Sequence, residues 1–442
     1  MGRRENRNKR KLEDNPVVEL NKIIQRFYPE LNKDFSSAKD CRNESYITYP
    51  IGLMLNSVFY KNAAGIETMQ QYNEKGLSET FVKNVCRLSN VEETEFLPHY
   101  LTINEFAEKF DISEIEEIRR NIFRKLIRRK TFDNARFKKD WCIIIDATRL
   151  YSSSQKHNPA YLSQTFHRGE EDEKTIYYRS VVEAKIYLGN GIVMSLESEF
   201  EDNSDIGINS KSEEDIKQDC EIKAFQRLAE KIKKNFPRLP VCMLMDSLYA
   251  SEPIMEICEN NGWNYIIRFK DGSIPSVAEE FANLLKINTK DGYKHPDDID
   301  FVNGIDYKGH KVNVLKLTES SNGTVTEFQW LTNFEITNNN AEKIAATGRK
   351  RWKIENQGFN RQKHWQGEII SHACSHNDNA QRFHYLMEQL ADLFKMLYEY
   401  FFLKKNEIEK KQKNISSDLL QSLTGELIKA EDIFEQNIAK LC

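Results

Sequence analysis

The chain has no uninterrupted apolar run approaching the roughly 18 residues a membrane-spanning helix needs, so no membrane partner is expected. Its first 15 residues, MGRRENRNKRKLEDN, lack the apolar segment of a secretory signal. The expected setting is therefore intracellular and cytoplasmic. There is no CxxC pair: the eight cysteines are scattered through the 442 residues, which excludes a disulfide framework and a zinc knuckle. No internal repeat and no long low-complexity tract occurs. A basic excess is missing too, with 64 Lys plus Arg against 68 Asp plus Glu and a formal net charge of -4. Net charge conceals segregation, however. Residues 119 to 139 hold ten Lys or Arg and a single acid, Asp133, whereas residues 197 to 221 hold ten acids against Lys211 and Lys217.

An apolar fraction of 39% excludes a disordered chain, and the length suits two to four units at about 100–200 residues each. Residues 1–15 read as a loose basic arm. Residues 16–139 show helical periodicity in VVELNKIIQRFY, IGLMLNSVFY and ISEIEEIRRNIFRKLI, and form a helical DNA-binding unit in this reading. At Trp141 the pattern changes to the β-type run WCIIID. RSVVEAKIYL and GIVMSLESEF follow as strands joined by the turn Gly189-Asn190-Gly191. After a polar, acidic loop over 201–214 come a helix over 215–235, the strand PVCMLMD, a helix SEPIMEICENNG and the strand WNYIIRFK. Residues 140–270 thus read β-β-β-α-β-α-β. Residues 271–335 carry turn signals and alternating runs, a β-rich insertion. Residues 336–403 return to helix, ending in an amphipathic helix over 379–403 that must bury one face. Residues 404–442 read as a peripheral tail.

Three carboxylates stand out by position. Asp146 and Asp246 end apolar strands, and Glu355 lies in the helix after the insertion. Acids at the ends of neighbouring central strands converge with a helix packed across them, and such a cluster does not stay ionised unpaired. Hard divalent cations bound through oxygen are the natural answer, and two of them form the clamp used in phosphoryl transfer. Each acid also has a bland alternative: a turn former or helix cap for the two Asp, a solvated partner for helix neighbours in the case of Glu355.

The blocks RNESYITYP, WCIIIDATRLYSS, EFEDNS, KQDCEIKAFQRLAEKIKKNFPRLPVCMLMDSLYASEP, WNYIIRFKDGSIP, FQWLTNFEIT and RKRWKIENQGFNRQKHW resemble the DDE transposases of bacterial insertion sequences. The likeness is to the branch whose RNase H-like catalytic domain is interrupted by a β-rich insertion. It spans about residues 40 to 403. It implies an α/β fold: an RNase H-like mixed-sheet catalytic domain with that insertion, an N-terminal all-helical domain and C-terminal helices. It maps the catalytic, metal-binding acids onto Asp146, Asp246 and Glu355, with two Mg²⁺ ions, replaceable by Mn²⁺. Near the Glu the family pattern is Tyr, two residues, Arg, three residues, Glu, six residues, Lys. Arg351 and Glu355 fit it, Gly348 stands at the Tyr position and Gln362 at the Lys position, with Lys363 one place late.

The expected DNA contacts are Arg351, Arg361, Lys363, Trp330 as a base-stacking residue, and Arg128, Arg129 and Lys130 of the basic stretch, since phosphate contacts dominate DNA affinity. Trp330 also suits a strand core, and Arg351 with Glu355 a plain surface ion pair. The resemblance implies terminal inverted repeats and target DNA as partners, a homodimer on paired ends, nucleoid association and cut-and-paste movement. Two alternatives stay open: an RNase H-like nuclease or resolvase, and an inactive, domesticated DNA-binding protein. His372, Cys374 and His376, the acids Glu197 and Glu199, and Asp219 with Glu221 near a helix start are weaker candidates.

Overall fold

The computed structural model describes residues 15–204, 219–290, 298–321, 324–365, 370 and 372–434. Of the expected basic arm only Asn15 is among them. Residues 205–218 of the acidic region and 435–442 of the tail also lie outside the described residues.

The N-terminal part is helical, as its periodicity predicts: α1 Pro16–Phe27, α2 Leu31–Ser37, α3 Ile51–Ala63, α4 Met69–Lys75, α5 Glu79–Leu88, α6 Tyr100–Ala107 and α7 Ser113–Arg128. Local chemistry marks the starts. Asn15 accepts from the Val18 amide at α1, and Thr68 and Gln71 close a capping box on α4. In α7, Glu114 and Glu116 occupy the first turn and Lys125 and Arg128 the last, the order a helix dipole favours.

The strands are β1 Trp141–Ser153, β2 Leu162–Phe166, β3 Lys174–Tyr187, β4 Val193–Phe200, β5 Val241–Met245, β6 Asn264–Phe269, β7 Ile299–Tyr307, β8 His310–Ser321 and β9 Thr324–Thr332. They form one mixed sheet in the order β2-β3-β1-β5-β6-β9-β8-β7, with β4 also paired to β3. The β3–β4 hairpin turns at Gly189, Asn190 and Gly191, all at positive φ, which is why glycine and asparagine stand there. β5 and β6 run parallel to β1, and helices α8 Glu221–Asn235 and α9 Glu252–Asn261 connect them. Successive residues of β1 enter different cores: Trp141, Ile143 and Ile145 pack into one cluster, Cys142 and Ile144 into the other. A sheet covered on both faces needs a continuous apolar run rather than an alternating one, which accounts for WCIII.

Four expectations are revised. Residues 271–335 are β-rich only from Ile299 onward: they begin with helix α10 Pro275–Lys290, and β9 pairs antiparallel with β6, so these strands extend the main sheet. The N-terminal helices share one hydrophobic cluster with the sheet and with α12 Asp378–Tyr398, so no separate core bounds residues 16–139. Helix α12 is buried on all sides, because its polar face is also engaged. Lys185 donates to Gln389 (3.0 Å), Arg361 to Asp392 (2.8 Å) and Lys395 to Ser416 (2.8 Å). Finally, residues 404–434 are not peripheral: α13 Gln412–Gly425 buries Ile415, Leu419 and Leu423, Asn84 of α5 donates to the Leu423 carbonyl (2.9 Å), and α14 Ala430–Phe434 follows.

Candidate active site

The parallel register pairs Trp141 with Val241 and continues in step to Ile144 with Leu244. Carried two residues further, it brings Asp146 level with Asp246. Asp146 does not end its strand as expected, since β1 continues to Ser153 against β3. What ends there is β5, leaving Asp146 at the margin of the parallel pairing. The period of two places Asp146 on the Cys142–Ile144 face, the face covered by α11 Ala341–Arg349 and by Ile354 and Phe359. Asp246 begins a short 3₁₀ turn, Ser247–Tyr249, and its Oδ1 accepts from the Leu248 amide (2.8 Å). The capping alternative is therefore real for Asp246.

Glu355 comes to the same edge. The helix expected across 341–363 is broken after Arg349, and Glu355 sits in a π-helical turn, Ile354–Phe359, with a second at Arg361–Trp365. Arg351 joins two of the acids: its Nη1 lies 3.3 Å from Asp146 Oδ2 and 3.1 Å from Glu355 Oε1. Asp146 and Glu355, 209 positions apart (355 − 146), thus share one guanidinium, more than the simple i,i+4 surface pair allowed by the sequence. The π turns also account for the displaced lysine. Each i→i+5 turn accommodates one more residue than an α turn, so a side chain eight positions after Glu355 recovers the facing that a position seven later has in an α-helix. Lys363 returns to the site, where its Nζ donates to Thr148 Oγ1 on β1 (2.6 Å), and Gln362 turns inward to Asp392 and Gln389 (2.8 and 3.1 Å).

Gly348, where the family pattern has Tyr, is explained by Trp330. A Cβ at Gly348 would stand 2.4 Å from the Trp330 Nε1, so the indole fills the space a side chain would take. Trp330 is 2% exposed, stacked on Phe328 with ring centroids 6.1 Å apart. That corrects its expected role as a DNA-stacking residue in this conformation, because a base needs an open ring face.

Burial pushes the Asp146 carboxyl up to about 7; Arg351 opposes this, while Glu221, Glu355 and Asp246 add to it. Burial likewise pushes Glu221 up to about 7, with Asp246 and Glu201 adding to it against the Tyr249 hydrogen bond. The acids therefore sense one another as like charges in a poorly solvated place. Their oxygens are not gathered as a set within 4.8 Å of one another; among the described residues only the exposed His167, Glu170 and Asp172 are. An all-oxygen donor set with uncompensated negative charge suits a hard divalent cation.

The other expected contacts divide. Arg361 is 5% exposed and bound to Asp392 and Glu399 (2.8 and 2.7 Å), so it is unavailable to phosphate. Most of the basic stretch is likewise engaged internally: Arg119 and Arg120 meet Glu197, Arg124 meets Glu117, Lys125 meets Glu30, and Arg136 meets Asp133. Glu197 is therefore held by arginines, as is Glu199 by Arg227 (2.7 Å). Arg129 is half-buried and donates to the Arg26 carbonyl (2.7 Å). Arg128 and Lys130 are exposed. His376 stacks on His157 at 3.9 Å and Cys374 is half-buried, with no metal cluster at HACSH among the described residues. Sequence reasoning missed the exposed Trp352, whose ring lies 4.6 Å from the Arg351 guanidinium. It also underrated Glu221.

Residues 218–387 match the family model of the transposase DDE domain. That stretch, less than half of the chain, is similar to the transposase DDE domain. The matched span includes Asp246 and Glu355 and begins after Asp146. No significant match is found among the curated proteins. Among the described residues no helix is long and apolar enough to cross a membrane.

Proposed function

We propose that this chain is a DNA transposase that cleaves the DNA strands at the ends of an insertion sequence and joins them to a target, in a cut-and-paste reaction run by Asp146, Asp246 and Glu355. The observation that carries the reading is the sharing of Arg351 by Asp146 and Glu355, at the edge where the register brings Asp246 beside Asp146. The strand order β4-β3-β1-β5-β6, with the first two links antiparallel or hairpin-joined and the last two parallel, supports an RNase H-like domain. The helix and strands from α10 to β9 take the place of the insertion.

Asp146, Asp246 and Glu355 are the residues to hold two Mg²⁺ ions, with Mn²⁺ as a substitute. The chemistry such ions would supply when bound is activation of a water or 3′ hydroxyl and stabilisation of the leaving oxygen. The chain's own groups bind and orient the DNA. Arg351 bridges two carboxylates and is the nearest cation for a scissile phosphate, which a guanidinium recognises in bidentate fashion. Lys363, fixed by Thr148, stands on the same rim, and Trp352 presents an open ring beside Arg351. Arg128 and Lys130 supply more distant phosphate contacts. A homodimer would hold paired ends.

The test is nicking and strand transfer of terminal-repeat DNA by the purified chain in Mg²⁺. Asp146→Asn should abolish both reactions while leaving DNA binding in EDTA intact. Cleavage without transfer would mean a nuclease or resolvase, no nicking an inactive binder, and full activity in Asp146→Asn would remove the metal reading.

A further inference from the structure

We propose that Glu221 is a fourth carboxylate of the metal-binding cleft, held there by Tyr249, so that the site is built on four acids rather than three. The inference rests on the functional reading above and extends its donor set.

Glu221 is the first residue of α8 and Tyr249 closes the 3₁₀ turn that Asp246 opens. The Tyr249 hydroxyl donates to Glu221 Oε1 at 2.7 Å. Tyr249 is fully buried, and its ring meets Phe225, one turn along α8, edge-on at 5.3 Å. Two contacts thus lock the start of α8 onto the turn that carries Asp246. The bond engages one oxygen of Glu221, and the other has no hydrogen-bond partner among the described residues. Among the negative charges bearing on Asp146, that of Glu221 weighs most, ahead of Glu355 and Asp246.

A purely structural account, in which Glu221 complements the positive end of α8, explains an acid at this position. It does not explain a half-buried acid turned toward other acids, where each carboxylate raises the cost of its neighbours. The nearby Asp219, by contrast, is answered by Arg227 through two hydrogen bonds, the shorter at 2.6 Å. Glu221 has no cation in salt-bridge range among the described residues. An acid held without a counter-cation, beside acids that share the single guanidinium of Arg351, is arranged for a charge that arrives from outside.

The experiment is calorimetric titration of Mn²⁺ into the full chain without DNA, for the parent, Glu221→Gln, Glu221→Asp and Tyr249→Phe, with Asp146→Asn for reference. Glu221→Gln should weaken Mn²⁺ binding at least ~10-fold and Tyr249→Phe by several-fold, the scale at which ligand-orienting partners act. Glu221→Asp should fall between parent and Gln. In EDTA, Glu221→Gln should unfold at higher urea than the parent, because one like charge is gone; a merely structural acid would give the reverse. Mn²⁺ affinity within about twofold of the parent in Glu221→Gln, together with lost affinity in Asp146→Asn, overturns this inference and leaves the functional reading standing. Unchanged affinity in both variants overturns the functional reading itself. If Glu221→Gln does not fold, Tyr249→Phe decides: a several-fold loss supports the inference and an unchanged affinity overturns it.

Discussion

Gly348→Ala adds a single methyl group, yet the packing around Trp330 makes it a demanding change. The new Cβ would lie 2.4, 2.7 and 2.8 Å from three atoms of the indole, whereas favourable carbon contacts sit at about 3.5–4.0 Å. The overlap is thus about 1 Å with a ring that cannot easily leave. Trp330 is in register with Arg268 of β6 on one side and Leu315 of β8 on the other, and Phe328 stacks along its face. Overpacking of this kind costs about 1–3 kcal/mol, and so short a contact belongs at the upper end. Alanine returns about 1 kcal/mol of helix propensity relative to glycine. The expected net loss is about 2 kcal/mol, read as a lower urea midpoint at unchanged slope. Strand cleavage should fall too, because α11 leads into Arg351 three residues later. Trp330→Val opens the space, so the double variant should be more stable than the sum of the singles by about 1 kcal/mol or more. If Gly348→Ala is as stable as the parent, helix propensity alone governs the position and the steric account of the missing tyrosine is wrong.

Arg361→Met should cost about 3–5 kcal/mol, since it takes the arginine away from the buried Asp392 carboxylate, and should leave the salt dependence of DNA binding unaltered. A stable variant whose salt slope drops by about 1 would instead restore Arg361 as a phosphate contact. The carboxyls of Asp146 and Glu221, both pushed up to about 7, set a pH dependence for the metal-free protein. Between the ordinary carboxylate range near 4 and about 7, the folded state binds more protons than the unfolded one, so stability falls as pH rises through that window. Denaturation in EDTA at pH 5 and pH 8 should show the lower midpoint at pH 8, and Mn²⁺ should restore it while releasing protons. A flat profile would argue against clustered acids.

How the chain divides between sequence and tertiary structure follows from the range of the forces involved. Helix and strand identities rest on local periodicity and turn chemistry, so the N-terminal helices, the β3–β4 hairpin and strands β1, β5 and β6 were legible; Asp146, Asp246, Glu355 and Arg351 were singled out as candidates by their spacing and their likeness to a known motif. Helix α10 was hidden among turn signals, and β2 carried too little apolar pattern to stand out. Which charges stay free for DNA was not legible, because a one-dimensional count cannot show that Glu197 and Glu117 neutralise Arg120 and Arg124, or that Asp392 captures Arg361. The displaced lysine depended on π turns, and the missing tyrosine on Trp330, a residue 18 positions upstream. The case for Glu221 depended on its hydrogen bond from Tyr249, 28 positions downstream. Backbone preference acts over a few residues and is written locally; burial and charge pairing depend on what the finished fold brings side by side.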